Sequence, residues 1–232
     1  MKIEVLADAD AVARAAAAVI AADARAAVAA RGRYVFAVSG GTTPWVMLRA
    51  LAEEDVPWQA VHLLQVDERV APAGDPIRNL THLAESLFER APLSRQSVRA
   101  MPVEAPDLDA AAARYAQLLR ELAGSPPVLD LVHLGLGPDG HTASLVPGDA
   151  VLDVADVDVA LTAGPYQGRR RMTLTYPALD RARRVLWLVT GAEKVGMLAR
   201  LQAGDRSIPA GRVRAVNALV LADRAAAPQP SN

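Results

Sequence analysis

The chain has 232 residues, 25 Lys and Arg against 26 Asp and Glu, a formal net charge of −1 and no cysteine. The balanced charge argues against nucleic acid or an anionic membrane surface as a general partner. The missing cysteine excludes disulfides and thiolate chemistry and suits a reducing, cytoplasmic setting.

Taken in order, the pattern alternates strands with helices. Residues 3–6 predict a short strand, and Asp8 or Asp10 caps an Ala-rich helix that runs to about Ala30 and stops at Gly32. The opening reads as strand followed by acids, not as an apolar leader, and no apolar run is long and bare enough to span a bilayer. The Ala and Arg enrichment is read as base composition rather than function. Residues 34–38, YVFAV, form the next strand; a tight turn over 39–43 follows, and Pro44 starts a helix over 44–54. A third strand, 61–66, empties into Asp67, Glu68 and Arg69. After a loop over 71–78, Leu80, Leu83, Ala84 and Leu87 share one helical face, and 98–101 makes a short strand. Asp107 caps a helix that turns Tyr115, Leu118, Leu119 and Leu122 to one side.

Residues 128–134 are a nearly continuous apolar run with Pro126 and Pro127 before it and Gly135, Gly137, Pro138 and Gly140 after it, which suits a strand covered on both faces. Residues 154–161 are weakly strand-like, 171–175 form a strand with a basic start, and 185–189 are another buried strand. Lys194 then stands in the first turn of a helix from Ala192, 204–212 are loop, and 218–221 are a last strand. The expected fold is α/β: one domain over 1–224, three layers with a mostly parallel sheet between helices, and a disordered tail over 225–232.

In such a sheet, loops after the strands meet at one edge, where ligands bind. The turn Ser39, Gly40, Gly41, Thr42 and Thr43 can aim backbone N–H groups and hydroxyls at an anion beside a helix start. It lacks the lysine of a P-loop, and it also suits a plain strand-to-helix connection. Arg69, Arg171 and Lys194 fall at element ends and supply cations for that anion. A lysine in the first turn of a helix opposes the helix dipole, so an external anion accounts for it. Of the run Arg169, Arg170 and Arg171, one is expected to face inward. Asp67 and Glu68 divide into one orienting group and one arginine partner.

The loop after the central strand holds Asp139 and His141. Histidine is the side chain that titrates near neutral pH, so His141 is the candidate general base and acid, with Asp139 orienting it and Arg69 or a loop N–H stabilising an oxyanion. Ser144 lies near His141, but no G-x-S-x-G elbow is present. His133 is expected in the core, and His62 and His82 at the surface or in packing. No HxxxH or HxH pattern occurs, so a metal site is not expected. Gly135, Gly137 and Gly140 match G-x-G-x-x-G in letters, but His141, Thr142 and Pro147 follow instead of a long apolar helix.

The segments VSGGTTP, VDERVAP, RNLTHLAESLF, GLGPDGHTASLVPG, RMTLT and VTGAEKVGML, in that order over residues 35–213, resemble the 6-phosphogluconolactonases. The resemblance implies a modified Rossmann-like fold and hydrolysis of 6-phospho-D-glucono-1,5-lactone to 6-phosphogluconate in the oxidative pentose phosphate pathway, without a metal or organic cofactor. It implies a small-molecule partner, no nucleic acid, no membrane, and a monomer or small homo-oligomer. It adds Asn79 to the binding set of Ser39, Gly40, Gly41, Thr42, Thr43, Asp67, Arg171 and Lys194. Two departures stand out: Arg78 where the family often has Ser, and residues 164–168, GPYQG, where it often has a run containing Pro and Lys. The related glucosamine-6-phosphate deaminases carry Tyr where Arg69 stands and a Glu where Pro147 and Gly148 stand. A non-catalytic sugar-phosphate-binding module would normally bring a helix-turn-helix, for which there is no room before Tyr34.

Overall fold

The computed structural model describes residues 1–214 and 216–227. β1 (Lys2–Leu6) leads into α1 (Ala9–Arg31), β2 (Tyr34–Val38) into α2 (Thr42–Leu51), and β3 (Val61–Gln65) runs almost directly into β4 (Asp67–Arg69). Helix α3 (Asn79–Leu83) continues as a π-helix over Ala84–Phe88, followed by β5 (Val98–Arg99), α4 (Leu108–Ala123) and β6 (Leu131–Gly135). Then come β7 (Val159–Leu161), β8 (Arg171–Leu174), α5 (Tyr176–Asp180), β9 (Val185–Val189), α6 (Val195–Gln202) and β10 (Ala218–Asp223).

Seven strands pair in parallel in the order β1-β10-β9-β6-β2-β3-β5. The expected three-layer α/β/α fold follows from strand alternation. Tyr34, Phe36 and Val38 of β2 face the core shared with α1 and α2, while Val35 and Ala37 face the one shared with α4 and α6. Asp8, not Asp10, caps α1 by accepting the Ala11 N–H at 2.8 Å. Gly32 ends that helix at φ 73. The alanines of α1 do a structural job: Ala13, Ala16, Ala17, Ala21 and Ala24 are fully buried and let the helix lie close on the sheet. Asp107 caps α4 as expected, at 2.9 Å from the Ala110 N–H.

Two expectations are corrected. The expected third strand stops at residue 66, but Asp67 to Arg69 form a further strand, antiparallel to β8 in a separate three-stranded sheet ordered β4-β8-β7. The pairing spans about a hundred residues of chain, which local pattern cannot reveal. The expected disordered tail begins with order: Ala225 to Ala227 form a turn held by Asp223, with Ala226 fully buried. The remaining tail residues, 228–232, lie outside the described residues.

The chain steps outward from β2 to β3 and β5, then returns to place β6 on the other side of β2. The loops after β2 and β6 therefore diverge at the reversal point of an open sheet, where a crevice forms. His133 of β6 lies beneath it, fully buried as expected for a core residue. Its Nδ1 accepts the Ser39 N–H at 3.2 Å, and the Ser39 hydroxyl donates to its carbonyl at 3.1 Å. No partner for Nε2 is found among the described residues.

Burial lowers the His133 pKa from 6.5 to about 3. The native ring stays neutral where the unfolded one takes a proton, so the unfolded state binds more protons as pH falls below about 6.5. Stability is then lost at about 1.4 kcal/mol per pH unit until the folded pKa is reached. His62, lowered by burial and by Arg99 and Arg33, adds in the same direction. Denaturant melts from pH 6.5 to 5 should show a shallower slope for His133→Gln than for the parent. Equal slopes would mean that His133 is not the group excluded from protonation.

Candidate active site

The turn after β2 opens the site. Gly41 has φ 142 and no side chain to cap α2, which leaves the N–H groups of the first helical turn without a side-chain partner from the cap. Gly40 must be glycine because a Cβ there would lie 2.0 Å from Asn79 Oδ1. Thr43 Oγ1 is 2.7 Å from Thr190 Oγ1, which ties this turn to the end of β9.

The loop after β6 presents the imidazole. The Gly137 N–H donates to the His141 carbonyl at 2.8 Å, closing a tight turn. A Cβ on Gly137 would fall 2.0 Å from His141 Nδ1, so only glycine leaves the ring its place. Asp139 Oδ1 sits 2.6 Å from His141 Nδ1 and accepts the His141 N–H at 3.1 Å. With Nδ1 occupied, Nε2 is left for the cleft. Burial alone would raise the Asp139 carboxyl; the hydrogen bonds from the His141 ring and backbone and from Tyr166 outweigh it and hold the group below its ordinary value.

The opposite wall is cationic. Arg69 of β4 and Arg171 of β8 are direct cross-strand neighbours. Like charges placed directly opposite are destabilising unless something anionic lies between or beside them. Arg69 Nη1 donates to Asn79 Oδ1 at 2.6 Å and to the Ile77 carbonyl at 2.9 Å. Asn79 in turn donates to the Asp67 carbonyl at 2.9 Å. Burial lowers the Arg171 guanidinium, with Asp67 opposing that shift and Arg69 adding to it. Lys194, at the start of α6, completes the set with Glu193 Oε1 4.0 Å away.

These groups line one cleft of about 330 Å³. Ser39, Gly40, Gly41, Thr42, Thr43, Asp67, Arg69, Asn79, His141, Arg171 and Lys194 all line it. Asp139 stands behind His141. Of the three consecutive arginines, Arg171 is buried in the wall while Arg169 and Arg170 are exposed. The Ser39 hydroxyl is turned inward to the His133 carbonyl. Glu68 is the arginine partner, paired with Arg78 at 3.1 Å, and Asp67 is the cleft carboxylate, fixed by the Ser144 hydroxyl at 2.7 Å. That bond leaves Ser144 buried and committed, consistent with the missing elbow motif. Thr190 and Tyr166 escaped the sequence reading. Thr190 lies one residue past a strand already placed at the same edge, a signal that could have found it. Among the described residues, no three His, Cys, Asp or Glu side chains converge as a metal site requires, and no helix is long and apolar enough to cross a membrane.

Comparison with known proteins shows the family. The family model described as glucosamine-6-phosphate isomerases/6-phosphogluconolactonase matches residues 7–221. A 6-phosphogluconolactonase of Mycobacterium tuberculosis is 40% identical over 220 residues, covering 89% of each chain. One from Synechocystis is 36% identical, covering 77% of this chain and 75% of its own. The crystal structure of 6-phosphogluconolactonase from Thermotoga maritima superposes with a TM-score of 0.85 at 28% identity, covering 96% of this chain and 98% of that one. The chain belongs to the glucosamine-6-phosphate isomerase/6-phosphogluconolactonase family.

Proposed function

We propose that the chain hydrolyses 6-phospho-D-glucono-1,5-lactone to 6-phosphogluconate, the ring-opening step of the oxidative pentose phosphate pathway, in the cytoplasm. The observation that carries this is the pairing of His141, its Nδ1 held by Asp139, with a facing wall of Arg69, Arg171 and Lys194 across one cleft. The lactonase names of relatives at 36% and 40% identity support it.

His141 Nε2 takes a proton from water as the water oxygen bonds to the lactone carbon C1. The carbonyl oxygen becomes an oxyanion beside Arg69 or a loop N–H, worth several kcal/mol where water is excluded. The C1–O bond of the ring then breaks, and His141 returns the proton to the departing ring oxygen. The imidazole ends as it began, and the new carboxylic acid ionises. The 6-phosphate lies at Thr42, Thr43, Arg171 and Lys194, away from the breaking bond, so its binding energy orients C1.

The lactone should be made in place from glucose 6-phosphate, with purified chain added at neutral pH. Ring opening faster than the spontaneous rate is expected; ammonia release from glucosamine 6-phosphate would point to the deaminase instead. Lys194→Ala should raise KM for the phosphorylated lactone and leave unphosphorylated gluconolactone nearly unaffected. Losing a charge-assisted hydrogen bond costs about 1.5–3 kcal/mol, which is roughly 10- to 150-fold in KM. Equal losses on both lactones would remove Lys194 from the phosphate site.

A further inference from the structure

The segment 164–168, where this chain departs from the family pattern, is built as a tight hairpin. The Tyr166 N–H donates to the Arg169 carbonyl at 2.9 Å, and the reverse bond is 3.4 Å. Gln167 and Gly168 both have positive φ, 52 and 78. Two successive left-handed residues make the type I′ turn whose twist matches a hairpin. The root is pinned by Asp149, which accepts the N–H groups of Ala163 at 3.0 Å and Gly164 at 3.2 Å.

This hairpin puts one side chain between two halves of the cleft. The Tyr166 hydroxyl donates to Asp139 Oδ2 at 3.0 Å and lies 3.2 Å from His141 Nδ1. Its ring meets the imidazole edge to face, with centroids 5.2 Å apart. The Arg171 guanidinium carbon sits 4.9 Å from the centroid of the same ring, and Arg171 Nη2 donates to Gln167 Oε1 at 3.1 Å. We infer that Tyr166 is a positioning residue: its hydroxyl locks the Asp139–His141 pair, and its ring holds Arg171, fixing base and anion-binding group in one mutual geometry.

The physical need is plain. Asp139 Oδ1 is engaged by the His141 ring and backbone, but rotation about the terminal carboxylate torsion is soft. A donor on Oδ2 removes that freedom, and so keeps the proton on Nδ1 and the lone pair on Nε2. Burial and Asp139 hold the Tyr166 hydroxyl above its ordinary pKa, so it remains a donor across the working range. The cation–π contact sets the guanidinium plane on the other side. Misplacement of a reacting group by about 1 Å can cost 10²-fold in rate, so a hinge shared by both groups has a catalytic effect without touching substrate.

The inference rests on the lactonase reading, and kinetics on two variants tests it. Tyr166→Phe keeps the ring and the hairpin but loses the hydroxyl; kcat should fall about 10-fold with KM for the phosphorylated lactone within about twofold. Tyr166→Leu loses both contacts; kcat should fall at least as far, while KM and the calorimetric Kd for 6-phosphogluconate rise about fivefold or more. A Tyr166→Phe enzyme with kcat within twofold of the parent, or one whose KM rises as much as that of Tyr166→Leu, overturns the positioning role. A parent chain that does not accelerate lactone opening overturns the lactonase reading itself, and the role of Tyr166 falls with it.

Discussion

His141→Asn is expected to lower kcat by about 10²-fold or more while KM for the phosphorylated lactone changes little. Asparagine is polar and of similar size, but it cannot exchange a proton near neutral pH. The phosphate end of the cleft, at Thr42, Thr43, Arg171 and Lys194, is built from other elements and stays intact, so ground-state binding should survive. The acid limb of the pH–rate profile, where protonation of the base removes activity, should disappear with the imidazole. Asp139→Asn should cost less, because it removes orientation and charge from Nδ1 but leaves Nε2 in the cleft. The loop geometry offers an alternative: His141 also accepts the Gly137 N–H through its carbonyl, so it could serve only to brace the turn. That carbonyl remains in the asparagine variant. A folded His141→Asn protein that binds 6-phosphogluconate normally and hydrolyses lactone near the parental rate would take His141 out of the mechanism.

Much of this site was legible because its signals are local. Glycines mark where backbone must approach closely, and Gly40 and Gly137 do so against Asn79 and His141. Strand periodicity places the loops after β2, β6 and β9 at one edge, so the residues they carry must converge. What could not be read depends on pairing between distant segments. The neighbour relation of Arg69 and Arg171 exists only because β4 pairs with β8. Tyr166 sits in a stretch whose composition says turn and nothing more; its partners Asp139 and His141 lie 27 and 25 residues away. Arg78 looked like a loop departure of unknown consequence, yet it is only 1% exposed. A buried arginine at a helix start carries no local signal when its carboxylate partner comes from a strand, here Glu68 of β4.

Arg78→Ala is expected to destabilise the fold by about 3 kcal/mol, the lower end of the range of roughly 3–5 kcal/mol for breaking a buried ion pair from one side. Arg78 Nε lies 3.1 Å from Glu68 Oε2, and Glu68 is fully buried. Arg78 Nη1 also donates to the Ala71 carbonyl at 2.9 Å and to Glu104 Oε1 at 2.8 Å. Without the guanidinium, the Glu68 carboxylate would stay buried with no counter-charge. Four donors would remain: the Gln65 amide and the backbone N–H groups of Arg69, Asn79 and Leu80, each at 2.8 Å. They temper the loss, which is why the lower figure is chosen. Two of those N–H groups open α3, so Glu68 acts as the cap that this helix lacks from its own side chains. The loss should therefore reach the site as well: α3 carries Asn79, Asn79 holds Arg69, and kcat/KM should fall along with the denaturation midpoint. Arg78→Met separates the causes, since it fills the volume without supplying charge. If charge compensation dominates, methionine should recover little of the loss. A methionine variant that unfolds at the parental denaturant concentration would mean that Arg78 serves packing alone, and that the four N–H donors suffice to satisfy the Glu68 carboxylate.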